Sequence, residues 1–107
     1  METTAATMTE IGNALSVGVA RSAERDHVRI VGELDMSSAG ALEREISGIE
    51  DGAESGHLVV DLSDLRYVDS SGMDALLNIA SSARRRRFTL EVTPGHAGLQ
   101  RIFELTG

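Results

Sequence analysis

The apolar residues of this chain switch between two periods, and that switch constrains the fold more than any other feature. In "ALSVGVAR" Leu15, Val17 and Val19 recur at every second position, and "HVRIVGEL" supplies Val28, Ile30 and Val31. Beyond "GELDMSS" the spacing becomes three and four, through Ala39, Leu42, Ile46 and Ile49, with Glu43, Arg44 and Glu45 on the other side. A period of two lines one face of a half-buried strand, whereas three and four line one side of a helix. The short "RSAERD" link makes an antiparallel hairpin of the first two strands the simplest arrangement. Ser37 or Ser38 is the expected N-cap of the helix, which should stop in the glycine-bearing "GIEDGAESGH".

The pattern then repeats. "HLVVDLS" is a near-continuous apolar run suited to a strand central in a sheet. A second helix is predicted from about Gly72 to Arg84, with Met73, Leu76, Leu77 and Ala80 facing the sheet. "FTLEV" reads as the last strand, and Leu99, Ile102, Phe103 and Leu105, beyond Pro94 and Gly95, as a terminal helix. Residues 1–12 lack sustained period and read as a flexible tail, leaving 13–107 as one domain. The expected order is β-β-α-β-α-β-α. Because helices link successive strands, those strands should run parallel with right-handed crossovers, giving a mixed four-stranded α/β sheet with helices mainly on one face.

Composition narrows the function. A chain of 107 residues has room for one core and little for a deep catalytic cleft. With no Trp and an aromatic content of 3%, that core is aliphatic. Cysteine is absent, which excludes disulfides, thiolate nucleophiles and cysteine-ligated metals. The formal charge of -7 opposes general attraction to nucleic acid or anionic lipid, so a basic or mixed-charge protein surface is the easier partner. No apolar run approaches the roughly 20 residues that span a bilayer, and the start carries no signal-like segment; the expected setting is the cytoplasm, without membrane insertion.

Site motifs are few. His27, His57 and His96 lack a ligand spacing, and neither a G-x-S-x-G elbow nor a phosphate-binding glycine motif is present. A binding module is therefore expected rather than an enzyme, with no metal and no cofactor. The Arg84 to Arg87 run has no interleaved aromatic residues for nucleic acid, and cations there complement a helix C-terminus.

The chemistry gathers at "DLSDLRYVDSSGMDALL", where Asp69, Ser70, Ser71, Gly72 and Asp74 sit between a buried strand and an amphipathic helix. One reading is capping: "SGMD" resembles a capping box led by Ser71, with Asp74 in place of the usual Glu or Gln. The other is modification. Gly72 lowers steric cover over the hydroxyl, and a phosphate on the second serine would meet a helix N-terminus while adding roughly -1.5 to -2 charges beside Asp69 and Asp74.

"VDSSGMDALL", with "GELD" at Gly32 to Asp35, "LVVDLSDL" before the seam and "RIFELTG" at the end, resembles a STAS domain of the anti-sigma factor antagonist type, over about Leu15 to Gly107. The resemblance implies that the unphosphorylated chain binds an anti-sigma factor with serine kinase activity, freeing a sigma factor for transcription. Phosphorylation dismisses the antagonist and a serine phosphatase restores it. Carried over by motif, Ser71 is the phosphorylated residue. Asp35, Asp69, Ser70, Gly72, Met73 and Asp74 share its partner-binding surface, although Asp35 equally suits the cap of the first helix. In "ARRRRFTLEV" four arginines stand where relatives have a small, glycine-containing turn. An alternative within the same fold is an accessory subunit of a transporter ATPase, in which the helix start is a static contact.

Overall fold

A computed structural model describes residues 7–93. The strands are β1 (Thr7–Ile11), β2 (Leu15–Arg21), β3 (Asp26–Leu34), β4 (His57–Asp61), β5 (Leu65–Val68) and β6 (Thr89–Thr93). Helix α1 (Ala39–Asp51) follows β3, and α2 (Ser70–Arg85) follows β5. The sheet order is β1-β2-β3-β4-β6, with β5 paired to β3 beyond the end of β4. β1, β2 and β3 are antiparallel neighbours, whereas β3 with β4, β3 with β5, and β4 with β6 are parallel. The expected class and mixed sheet are therefore present, with six strands in place of four.

Both extra strands depend on pairing across the sheet rather than on their own period. "TMTEI" was expected within a flexible tail, yet from Thr7 onward it is an edge strand whose backbone groups pair with Leu15 to Val19. β5 continues the line of β4 after a jog at 62–64. There the Leu62 N–H donates to the Thr93 carbonyl, and the Gly32 N–H donates to the Asp64 carbonyl at 3.1 Å. Gly32 adopts φ +107°, and a Cβ at that position would run into the Ala14 carbonyl. That left-handed geometry and close approach both call for glycine, and they let β3 shift register from Leu65 to Tyr67.

The core follows the alternation read from sequence. Val28, Ile30 and Leu34 of β3 meet Leu15 and Val17, Leu58 and Val60, and the helical residues Leu42, Ile46, Ile49, Met73 and Ile79. The phase of α2 meets expectation at Met73, which is buried, and at Leu76, which packs against the core, but not at Leu77. The buried residues of α2 are Gly72, Met73, Ala75, Ile79 and Ala83, while Leu77 is 48% exposed. α2 packs on the sheet and also against α1. Contact on two sides turns its buried face onto the small residues Ala75 and Ala83, which permit close helix approach, and Leu77 is rotated outward. The proposed terminal helix around Leu99, Ile102, Phe103 and Leu105 lies outside the described residues.

Helix α1 ends in Glu50 and Asp51, acids beside the negative end of its dipole, with no basic residue in its last turn. Two arginines from elsewhere supply the missing cations. Arg86 donates to Glu50 Oε1 at 2.9 Å and to Asp51 Oδ1 at 2.5 Å, and Arg21 donates to the Ile49 carbonyl at 3.2 Å. Part of the arginine run thereby locks α1 to the end of α2.

Candidate functional site: the strand-to-helix seam

The site forms where β3 and β5, running parallel, deliver their ends to the starts of α1 and α2. The Asp69 N–H donates to the Leu34 carbonyl at 3.2 Å, joining the two strand ends. Gly72 then sits so close to β3 that a Cβ would lie 2.6 Å from the Leu34 carbonyl oxygen and 2.9 Å from Leu34 Cγ. Its role is this close approach of helix to strand, rather than uncovering the neighbouring hydroxyl as expected. Gly72 and Met73, both expected on a partner-binding surface, are buried; Met73 is 6% exposed and belongs to the core.

The N-cap of α2 is Asp69, and the capping box led by Ser71 does not form. Asp69 Oδ1 accepts the Gly72 N–H at 2.8 Å, and the Asp69 carbonyl accepts the Met73 N–H at 2.9 Å. A carboxylate at this position meets both an orphan N–H and the positive end of the dipole, which makes it the stronger cap. Ser70 and Ser71 are thus the first two residues of the helix. Ser70 is exposed and Ser71 half-exposed, and among the described residues neither hydroxyl makes a hydrogen bond. Asp74 is exposed one turn on from Ser70.

The "GELD" motif is tied to the same place. Asp69 Oδ2 accepts the Met36 N–H at 3.1 Å, so one carboxylate caps α2 and holds the chain entering α1. Asp35 organises that entry: its Oδ1 accepts from the Ser37 N–H at 2.9 Å and the Ser37 hydroxyl at 2.7 Å, and its carbonyl accepts from the Ser38 and Ala39 N–H groups. The Ser37 hydroxyl and backbone N–H hold the Asp35 carboxyl below its ordinary range. Ser38 occupies the N-cap position of α1 without a side-chain cap, because its hydroxyl turns back to Asp35 instead. Asp35 therefore builds the turn into α1, as its expected capping role requires, and stands beside the seam.

The sequence pattern did not single out Met36, which is 78% exposed next to the Asp69 tether, or Leu77 as an outward-facing residue. Met36 interrupts a polar stretch, "LDMSS", and that break in pattern was the available signal. Among the described residues no group of His, Cys, Asp and Glu could hold a metal ion, and no helix is long and apolar enough to cross a membrane. What the seam offers is an acidic, partly apolar surface around unengaged hydroxyls at a helix N-terminus.

Comparison with known proteins identifies the fold. The family model described as "Mlab, STAS domain" matches residues 17–107. An antisigma-factor antagonist STAS domain from Rhodobacter sphaeroides superposes with a TM-score of 0.64 at 18% identity, covering 88% of this chain and 97% of that one. The Bacillus cell fate determinant SpoIIAA in its phosphorylated form gives 0.60 at 19% identity, with coverages of 94% and 81%. Mglu gives 0.63 at 17% identity over 70% of this chain, which spans 18% of the Mglu chain. At these identities the likeness is one of fold.

Proposed function

The chain belongs to the STAS domain family, and we propose that it acts as an anti-sigma factor antagonist, switched by phosphorylation of Ser71. The observation that carries this reading is the cap. Asp69 performs the structural task at the helix start, which leaves Ser71 partly exposed with its hydroxyl unengaged among the described residues. Further support comes from the similar fold of SpoIIAA, known in phosphorylated and unphosphorylated forms.

In this reading the unphosphorylated seam docks on an anti-sigma factor in the cytoplasm, and that partner is also the kinase. The Ser71 oxygen bonds to the γ-phosphorus of the kinase's ATP as the bond to ADP breaks, and the hydroxyl proton passes to a base on the kinase. The phosphate adds charge to a surface that already holds Asp35, Asp69 and Asp74. A thousandfold loss of affinity corresponds to roughly 4 kcal/mol, which a desolvated dianion facing acidic groups can supply without refolding. A serine phosphatase resets the switch.

The test is calorimetric affinity for the cognate anti-sigma factor, with peptide mapping after incubation with ATP. Wild type should acquire one phosphate on Ser71 and dissociate, while Ser71→Ala should stay bound. Ser71→Asp should weaken binding in part, since a carboxylate carries less charge than phosphate. Equal affinity of wild type, Ser71→Ala and the phosphorylated protein would refute the switch and favour a static contact, such as that of a transporter ATPase subunit.

A further inference from the structure

The arginine run does two different things, and one is unexplained by the fold. Arg86 is consumed by Glu50, Asp51 and the Ser47 carbonyl. Arg84, Arg85 and Arg87 are exposed, and among the described residues none has a carboxylate within ion-pairing distance. Arg85 donates to the Ser81 hydroxyl one turn back.

Arg87 is also strained. It adopts φ 66° where the chain leaves α2, with the Phe88 N–H donating to the Ala83 carbonyl at 2.9 Å and the Arg87 N–H to the Arg84 carbonyl at 3.0 Å. This is the helix-ending turn in which glycine is the ordinary residue, because a Cβ in the left-handed region is penalised. A cationic side chain is kept there against a local conformational cost. Dipole complementation accounts for Arg84 and Arg85 but does not require a third guanidinium beyond the helix end.

We propose that Arg84, Arg85 and Arg87 form a docking surface for an acidic segment of a partner protein. It is a second binding site, about 22 Å along α2 from Ser70 by helix rise, and so is independent of the state of Ser71. The chemistry favours a short run of carboxylates over a polyanion. Three guanidinium groups offer forked donors matched to carboxylates, and a short acidic segment on an otherwise mixed-charge partner meets less long-range repulsion from a chain of formal charge -7 than a dense phosphate polyanion does. A lipid surface is less suited as well. Among the described residues the large exposed apolar side chains are Met8, Met36, Tyr67 and Leu77, none of them in the run.

The test uses the full chain and a fluorescent peptide of glutamate and alanine, with a glutamine counterpart, read by anisotropy at low and physiological salt. Replacing Arg84 and Arg85 by Ser together with Arg87→Gly should weaken glutamate-peptide binding by about tenfold or more, while Arg44→Ser and Arg66→Ser should change it less than about twofold. Arg87→Gly by itself should keep or raise the unfolding temperature while weakening binding. Should the triple variant fold poorly, Arg84→Gln with Arg87→Gly carries the same expectation. Phosphorylation of Ser71 should leave peptide binding unchanged. Binding insensitive to these variants would overturn the proposal, as would tighter binding of duplex DNA or anionic vesicles. Self-association in sedimentation that the triple variant abolishes would also overturn it, by making a second copy the occupant.

Discussion

One carboxylate, that of Asp69, holds the Met36 N–H at 3.1 Å while capping α2 through Gly72 at 2.8 Å. The starts of both helices are thereby fixed to each other through a single side chain. On the proposed reading, a partner docking on the loop at Met36 and the first turn of α2 would meet both helix starts as one surface.

Asp69→Ala should cost about 1–2 kcal/mol through loss of the cap, and Asn in its place should cost less because it keeps an acceptor. Amide exchange should speed up at Met36 and Gly72 together, even though 36 residues separate them in sequence. Denaturant titration with residue-resolved exchange measures both; acceleration at Gly72 without Met36 would show that the tether is not formed in solution.

Leu77→Ala should change stability by less than about 0.5 kcal/mol, since the side chain is half exposed. Ile79→Ala, two residues on and 6% exposed, should cost about 2–5 kcal/mol. Chemical denaturation of the two variants side by side reads the phase of α2 directly.

Gly72→Ala tests the close approach. In a free helix the change would gain about 1 kcal/mol, but here the added methyl meets the Leu34 carbonyl and side chain. Overpacking costs of about 1–3 kcal/mol should win, so the variant is expected to unfold at lower denaturant than wild type.

Arg86→Ala should destabilise by about 1–3 kcal/mol or more, because it strips the partner from a carboxylate whose side chain is 1% exposed. Arg84→Ala should be near neutral. Equal effects in thermal unfolding would remove the distinction between the clamp and its free neighbours.

Glu50 also sets a pH dependence. Burial raises its pKa above the ordinary 4.5, against the opposing pull of Arg86. The folded state then holds this proton more tightly than the unfolded chain, so Glu50's contribution is fully present below the unfolded pKa and is lost as pH rises through the folded one. Asp61 works in the opposite sense. The Ser63 hydroxyl lowers its pKa from 3.8, and that stabilisation is present above the unfolded value and lost as pH falls through the folded one. Stability curves against pH should lose the Glu50 component in Glu50→Gln and the Asp61 component in Asp61→Asn.

Periodicity was enough to locate four strands, both described helices and the seam between them, because alternation at two and at three and four is a local property of the chain. The doubled serine and Asp69 could be picked out for the same reason: they are polar residues at a change of period, whereas Asp35 came from the resemblance to the STAS family. The sequence could not show that "TMTEI" and "LRYV" are strands, since their order comes from backbone groups of β2 and β3 that reach them across the sheet. Nor could it choose between Ser71 and Asp69 as the cap, because both offer an oxygen near the helix start and only the entry angle from β5 decides which one meets Gly72. Leu77 and Arg86 show the same limit from opposite sides. An apolar residue at core spacing was turned outward by the second contact of α2, and an arginine that reads as surface charge became the partner of a buried acid on another helix. Local pattern assigns a residue to an element and a side of it; which side is covered, and by what, is settled when the elements pack.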